Sequence, residues 1–215
     1  MSEVSYETFL PEIIPYMRDV PEIVAVQAVR NACIQFCEET RVLQLNLDPM
    51  QAVEGEGSYE MDPDFGYKVV DIMEAWFGDQ LLIPKAVEEL TRIYRTSNWN
   101  TLEGNPYYYF RNVTQVVQLV PYPKVTEEGK IKLRVSVTPT RASTTVSDEI
   151  FERYYEYISL GARARLYDTP GQPYYDPKAA QLYLKRFNDA MAEVRTRVAK
   201  GMSRASVTIE FQRWV

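Results

Sequence analysis

The hydrophobic pattern of this chain changes period twice, and the order of those patterns constrains the fold more than any other feature. Apolar residues recur at helical spacing near the start, alternate at strand spacing through the middle, and return to helical spacing after Ser147. Runs of strands between runs of helices are typical of α+β proteins. The sequence therefore predicts a helical bundle from the N- and C-terminal helices, an inserted small antiparallel β domain and an extended C-terminal arm.

The predicted domain boundaries follow from where each pattern begins. Residues 1–42 and 147–203 form the predicted helical bundle, residues 43–146 the inserted antiparallel β domain, and residues 204–215 the C-terminal arm. The clearest strand pattern is 130–138, where apolar residues alternate with polar and basic ones. Gly78 and Asp79 separate two apolar runs, which predicts a two-residue hairpin turn.

Two strong helix patterns near the C-terminus are joined by a Pro-rich segment. The first runs from Ser147 to Tyr167 and the second from Lys178 to about Gly201. Two apolar stripes follow the first helix, so it needs contacts on two sides. Glycine inside a helix costs stability, and it is tolerated best where another helix backbone approaches closely. Core packing is the ordinary role of such stripes, and contact with another subunit is the alternative. The predicted inter-subunit residues are Tyr154, Tyr157, Gly161 and Ala164.

The last residues alternate between apolar and polar side chains. A strand of this kind can add to a partner's sheet or lie in a groove, and tryptophan is enriched among binding hot spots. We expect a docking arm, whose predicted anchors are Val207, Ile209, Phe211 and Trp214. The alternative is that this strand pairs with the chain's own β domain.

Aromatic residues concentrate in one part of the β region, at Trp99, Tyr107, Tyr108 and Tyr109. Such a cluster is typical of a binding edge, and it is also compatible with a platform on which sugars or bases stack. The simpler interpretation is a sheet face covered by aromatic side chains.

The composition excludes several kinds of chemistry. The chain has no histidine, which removes Ser-His-Asp and Cys-His catalysis and most zinc sites. Carboxylates are plentiful, yet no spacing singles out a catalytic pair. Cys33 and Cys37 are four residues apart on a predicted helix, which favours buried thiols over a disulfide. The sequence therefore predicts a protein that is not an enzyme, with no catalytic, cofactor-binding or metal-binding residues.

Charge and hydropathy limit the partners. The net charge of −6 argues against clamping of nucleic-acid phosphates over the whole surface. No apolar run approaches the length of a membrane-spanning helix, so we expect no membrane insertion. The N-terminus has no basic region before an apolar stretch, so we also expect no signal peptide.

Several short motifs occur in a characteristic order. They are Phe9–Pro11, Ala32–Thr40, Trp76–Leu81, Gly104–Tyr109, Val120–Pro123, Leu133–Pro139, Ile158–Leu166 and Pro170–Pro177. In these motifs the chain resembles the head-to-tail adaptor (connector) proteins of tailed bacteriophages, the group that includes the tail tubular and gp6-like connector proteins. Tyr174 or Tyr175 stands where that family often has tryptophan, and Asp176 stands where it often has asparagine.

The resemblance implies a structural virion protein. It implies a homo-oligomeric ring, usually of twelve subunits, that binds beneath the portal protein and receives the tail tube or nozzle proteins. Genomic DNA would pass through the ring without specific binding, and an acidic lumen suits such a conduit because it repels phosphates. The helical bundle would form the ring, the arm would reach the portal, and we place Trp99, Tyr107, Tyr108 and Tyr109 on the tail side. The expected location is the head–tail interface of the virion, after synthesis in the host cytoplasm.

Other functions remain open at this point. Within structural proteins, the alternative is a head-completion or tail-terminator subunit at a neighbouring position. From another class, the aromatic β region suggests a carbohydrate-binding module or a small glycan hydrolase.

Overall fold

The computed structural model describes residues 2–201 and divides into two compact units. The helical unit consists of residues up to Val42 and from Pro139 onward, and the β unit consists of Leu43–Thr138. Mixed helical and strand content confirms the predicted α+β class. The predicted C-terminal arm, residues 204–215, lies outside the described residues.

Four α-helices and thirteen short or medium strands are found between residues 2 and 201. In chain order they are β1 (Glu3–Ser5), α1 (Glu22–Thr40), β2 (Gln44–Asn46), β3 (Met50–Ala52), β4 (Ser58–Glu60), β5 (Tyr67–Phe77), β6 (Gln80–Leu81), β7 (Ile83–Pro84), α2 (Val87–Tyr94), β8 (Glu103–Gly104), β9 (Tyr108–Val113), β10 (Val116–Val120), β11 (Tyr122–Pro123), β12 (Glu127–Pro139), β13 (Thr145–Ser147), α3 (Asp148–Tyr167) and α4 (Pro177–Ala199). Short 3₁₀ helices cover Tyr6–Glu12, Ile14–Tyr16 and Trp99–Thr101.

The segment after β12 belongs to the helical unit, although the sequence placed it in the β domain up to residue 146. β13 pairs antiparallel with β1, so that Val146 lies opposite Val4. Val146 is fully buried, and α3 begins directly after this ribbon. The pairing of residues 145–147 with the N-terminus could not be read from the sequence pattern.

Capping residues and backbone conformation mark where the helices of this unit begin and end. Asp176 caps α4, because its Oδ1 accepts hydrogen bonds from the backbone N–H groups of Lys178 at 3.0 Å and Ala179 at 3.1 Å. Pro177 then fits the first turn, where no N–H partner is needed. At its C-terminal end, α1 is terminated by Arg41, which takes a left-handed backbone conformation with φ 53°.

The core of the helical unit lies where α3 packs between α1 and α4. Phe36 on α1 is fully buried, and its ring centroid lies 5.1 Å from that of Tyr154 and 6.2 Å from that of Phe187. Phe9 of the first 3₁₀ helix lies 5.0 Å from Phe151 in an edge-to-face arrangement. The wide apolar arc of α3 is therefore filled on two sides by its own chain.

The β unit contains one five-stranded sheet in the order β2-β12-β5-β6, with β3 also on β12, and one four-stranded sheet in the order β4-β10-β9-β7. Most of the pairs are antiparallel, as predicted. Two very short pairs are parallel, β7 with β9 and β8 with β11, and this differs from the purely antiparallel prediction. Strands of two residues leave no sequence signal that reveals their direction.

Strand β12 follows the predicted alternation. Ile131, Val135 and Val137 are fully buried, while Lys132 and Arg134 are exposed. Ser136 and Thr138 are also buried, so the second half of the strand is covered on both faces. The predicted hairpin is confirmed as well, since Phe77 pairs with Gln80 and Gly78 has φ 62°.

Strand β7 lies at the edge of the four-stranded sheet, and its outer side carries no free N–H. Ile83 and Lys85 donate inward, to the carbonyls of Tyr107 and Tyr109. Among the outward positions, Leu82 donates to the carbonyl of Ala75 at 2.8 Å, and Ala86 donates to Glu89 Oε2 at 3.3 Å. Between them stands Pro84, which has no N–H.

Candidate functional site

Gly161 lies against an aromatic ring of its own chain. A Cβ at this position would lie 2.8–3.0 Å from three atoms of the Phe187 ring. Contacts that short are not tolerated, so only glycine permits this approach of α3 and α4 without movement of the ring. The sequence attributed the glycine to a neighbouring helix backbone, whereas the neighbour is a side chain. Phe187 accounts for the glycine without a second subunit.

The other predicted inter-subunit residues differ in exposure. Tyr154 and Ala164 are buried, and burial raises the pKa of Tyr154. Tyr157 is half-buried, with its ring centroid 6.4 Å from that of Tyr154. Tyr157 is therefore the member of this set with the most surface left for a partner, and the inter-subunit role of all four residues stays a prediction.

An open groove runs beside Gly161, with a volume of about 370 Å³. Its apolar lining comes from α3 and α4, and includes Ala164, Ala180, Leu184 and Phe187. Leu184 is 47% exposed, which is unusual for a leucine that faces such a groove. The groove is wide enough for an apolar side chain of a partner.

Polar residues form the rim of this groove, including Gln35, Arg165 and Asp168. Arg165 Nη2 donates to Gln35 Oε1 at 2.5 Å, and partial burial lowers the pKa of Arg165. Asp168 follows the last turn of α3. The rim thus offers both signs of charge around an apolar floor, as protein–protein interfaces commonly do.

A second cluster, centred on Arg163, was not predicted. Arg163 is buried, and its Nε donates to the Glu12 carbonyl at 2.9 Å while its Nη2 lies 2.9 Å from Glu12 Oε2. The guanidinium also lies 4.1 Å from the ring centroid of Tyr16 and 5.6 Å from that of Tyr183. The sequence signal for this cluster was an arginine among the apolar residues of the helix pattern that became α3. This cluster fixes the 3₁₀ segment to α3 and α4.

The predicted tail-side residues separate into buried and exposed members. Trp99 and Tyr109 are buried, and Trp99 packs with Leu90, Phe110 and Val120 in a small core. Tyr108 packs partly against the same core, and Tyr107 is 53% exposed. Burial of the aromatic rings thus matches the simpler interpretation for Trp99 and Tyr109, and the tail-side role stays a prediction.

Two large apolar residues near Tyr107 along the backbone are also exposed, and the sequence did not single them out. Leu81 is 51% exposed and Ile83 is 50% exposed. The Ile83 N–H donates to the Tyr107 carbonyl at 2.9 Å, so the two backbones are neighbours, and the residue opposite Ile83 in the strand register is Tyr108. We call Leu81, Ile83 and Tyr107 the β-unit patch. The sequence could not show that Leu81 and Ile83 are exposed, because they occur in an apolar run that also contains the buried Leu82.

Other candidate groups have structural roles or lie beyond what the structure describes. Cys33 and Cys37 are buried free thiols, and the hydrogen bond to Cys37, together with burial, raises the pKa of Cys33. The docking residues Val207, Ile209, Phe211 and Trp214 lie outside the described residues. Within residues 2–201 there is no group of three His, Cys, Asp or Glu side chains that could hold a metal ion. The same part of the chain has no helix long and apolar enough to cross a membrane.

Comparison with known proteins gives one clear result. The family model described as SU10 adaptor protein matches residues 4–209, which includes both compact units. No curated protein matches the chain.

Proposed function

The chain belongs to the SU10 adaptor protein family, a family of phage head-to-tail adaptors, and on that basis we propose that it is the subunit of a ring that joins the portal to the tail. In this proposal the ring binds beneath the portal, most simply with twelve copies, and receives the tail tube or nozzle proteins. Genomic DNA passes through it without specific binding. The protein acts as a structural component of the virion at the head–tail interface, and it performs no catalysis.

The family match over nearly the whole chain is the observation that carries the proposal. Composition supports it, because a net charge of −6 favours a conduit along which DNA slides. The absence of histidine from the sequence also agrees with a structural role.

We assign different partners to the two units. The helical unit forms the ring, with Tyr157 and the groove beside Gly161 and Ala164 available to a neighbouring copy. The β unit meets the tail through Tyr107 and the rest of the β-unit patch, because these three large apolar side chains are about half exposed and therefore accessible to a partner. Residues 204–215 dock on the portal through Val207, Ile209, Phe211 and Trp214.

Electron microscopy of the full chain mixed with the portal of the same phage tests the ring directly. We expect a closed ring at one end of the portal. Truncation after Met202 should abolish portal binding without changing the melting temperature. Retained portal binding in the truncated chain, together with a large fall in melting temperature, would assign the last strand to the protein's own fold.

The tail-side assignment needs a separate variant. Replacing Leu81, Ile83 and Tyr107 with serine should leave portal binding intact and impair tail attachment, because all three side chains are about half exposed. Glu74, Asp79 and Lys132 lie on the same unit and serve as a matched control when replaced with serine. Loss of portal binding in the patch variant would reverse the assignment of faces.

The alternatives predict different binding. A head-completion or tail-terminator subunit would bind the tail or head proteins but not the portal. A carbohydrate-binding module would be retarded on a glycan gel as a stable monomer. Two of its proposed platform residues, Trp99 and Tyr109, are buried, and this leaves that alternative with less support.

A further inference from the structure

Phe65 lies in the loop that joins β4 to β5, and its side chain is fully exposed, at 102%. The next most exposed large apolar residue in the described part of the chain is Ile23, at 79%. Partly exposed apolar side chains are ordinary on protein surfaces. A phenylalanine with no buried surface contributes nothing to packing within its own chain, so the fold does not account for it.

The local backbone directs this side chain outward. The Tyr67 N–H donates to the Asp64 carbonyl at 3.1 Å, which closes a four-residue turn with Phe65 at its second position. Gly66 stands at the third position with φ 88°, a conformation that glycine adopts readily and other residues rarely. Pro63 fixes one further backbone angle just before the turn. We call residues 62–67 the Phe65 turn.

The Phe65 turn is held at both of its ends by Gln115, in the hairpin between β9 and β10. The Met61 N–H donates to the Gln115 carbonyl at 2.8 Å, and the Val69 N–H donates to Gln115 Oε1 at 3.3 Å. Met61 and Val69 are both buried. A segment that is already held in place loses little conformational freedom when it binds, and such preorganisation favours affinity.

The surroundings of Phe65 are negatively charged. Three exposed carboxylates precede or flank it, those of Glu60, Asp62 and Asp64. On the flanking strands and the β9–β10 hairpin, the cations are Lys68, which is half-buried, and Arg111, which pairs with Asp71 at 3.7 Å. The tip of the turn is therefore apolar and acidic at once. Such a surface repels DNA phosphates and anionic lipid headgroups.

The Phe65 turn lies at the opposite end of β5 from the β-unit patch. Strand β5 begins at Tyr67, within the turn, and ends at Phe77, where the hairpin leads to Leu81. Its eleven residues span roughly 30 Å. The two exposed ends of the β unit are therefore separate surfaces, and each can contact a different molecule.

We propose that the Phe65 turn inserts Phe65 into an apolar pocket of another virion protein, where lysine or arginine side chains at the mouth of the pocket pair with Asp62 and Asp64. Aromatic residues are enriched at protein interfaces, and charge selects a cationic rim. A second copy of this chain is a poorer match, because the rim of its groove carries Asp168 as well as Arg165. The inference rests on the proposed function for the particle in which the partner occurs.

Photo-cross-linking in assembled particles tests the contact. The full chain with p-benzoylphenylalanine at position 65 is supplied to phage that lack the wild-type gene, and the virions are irradiated. We expect a link to one other virion protein, at a peptide in which lysine or arginine adjoins apolar residues. The same photoreactive group at Val125, which is 59% exposed on the same unit, is the control and should not link to that peptide.

The cross-linking result can also reject the proposal. Links from position 65 only to other copies of this chain would assign the turn to ring formation, and links only to DNA would assign it to the conduit. Virions with no link at position 65 would show that the turn has no partner. Failure of the wild-type chain to enter virions counts against the adaptor function itself.

Substitution measures how much the contact contributes. Phe65→Ser should lower the yield of complete virions by about tenfold or more, and Phe65→Leu should keep most of it, because the pocket accepts an apolar side chain. Asp62→Lys with Asp64→Lys should also lower the yield, since like charges then meet. Glu54→Lys with Glu56→Lys makes the same change in charge at exposed positions of the β3–β4 turn and should leave the yield unchanged.

The melting temperature of each purified variant shows whether the fold is intact, and it should not change because these side chains are exposed. A normal yield from both Phe65→Ser and the Asp62 and Asp64 variant would overturn the contact while leaving the adaptor function standing. An equal loss from the Glu54 and Glu56 control would overturn the role of the turn's carboxylates, because it would show a general effect of charge.

Discussion

At the scale of single residues, Gly161 shows how one glycine sets the spacing of two helices. We expect Gly161→Leu to destabilise the folded chain by about 1–3 kcal/mol, since the added side chain overlaps the Phe187 ring in a packed core. Urea unfolding followed by circular dichroism measures the change. Loss of the ring in this variant would therefore not identify an inter-subunit contact.

Combining Gly161→Leu with Phe187→Ala tests whether the cost of the first change comes from overlap with the Phe187 ring. Phe187→Ala alone leaves a cavity and is destabilising, but combined with Gly161→Leu it gives the new side chain room. The two changes should cost clearly less together than the sum of their separate costs, because they share one contact. Additive costs would show that the two residues do not meet.

Arg163 is a second single residue on which stability depends, in this case through its charged hydrogen bonds. We expect Arg163→Met to destabilise the chain by about 1.5–3 kcal/mol, because a hydrogen bond to a charged partner is lost and the Glu12 carbonyl is left without its donor. Arg153→Met is the matched control, since that exposed pair with Glu149 contributes no more than about 0.5 kcal/mol. Equal losses for the two variants would contradict a special role of the Arg163 cluster.

At the scale of elements, α2 depends on one carboxylate. Glu89 accepts a hydrogen bond from the Ala86 N–H and another from Lys85 Nζ, and these contacts lower the pKa of Glu89. Its folded pKa lies below its unfolded value of about 4.3. The contribution of Glu89 to stability is therefore present above that value and is lost as the pH falls through the folded pKa.

Amide exchange in α2 measures this dependence. Opening of α2 should become more frequent below about pH 4, relative to the rest of the β unit. Glu89→Gln should remove the difference, because its amide carbonyl still accepts from Ala86 but does not titrate. An unchanged pH profile in that variant would assign the effect to another group.

Elements defined by local signals could be predicted from the sequence, and those defined by distant contacts could not. The helix pattern predicted a start at Lys178, one residue after the observed start of α4 at Pro177, and the alternation of β12 fixes its buried face. In contrast, the pairing of β1 with β13 joins residues far apart in the chain. The same limit applies to the site. Patterns identified Gly161 as a close approach, but only the folded chain brings Phe187 to it.

At the scale of the whole molecule, the β unit is an insertion whose two ends meet. The Val137 N–H donates to the Leu43 carbonyl at 2.9 Å, so the entry and exit strands lie side by side. We expect a chain in which Leu43–Thr138 is replaced by a short Gly/Ser linker to retain a folded helical unit. Far-UV circular dichroism and a cooperative thermal transition measure this outcome, and a molten or unfolded product would show that the helices need the β unit to fold.

The outer edge of β7 has a consequence for the life of the unassembled subunit. A strand edge recruits another chain through free N–H and carbonyl groups, and this is how sheets grow into aggregates. Along β7 the outward donors are already used by Ala75 and Glu89, and Pro84 contributes none. A second copy would therefore find no free backbone N–H along this edge, and this disfavours pairing of two copies through β7.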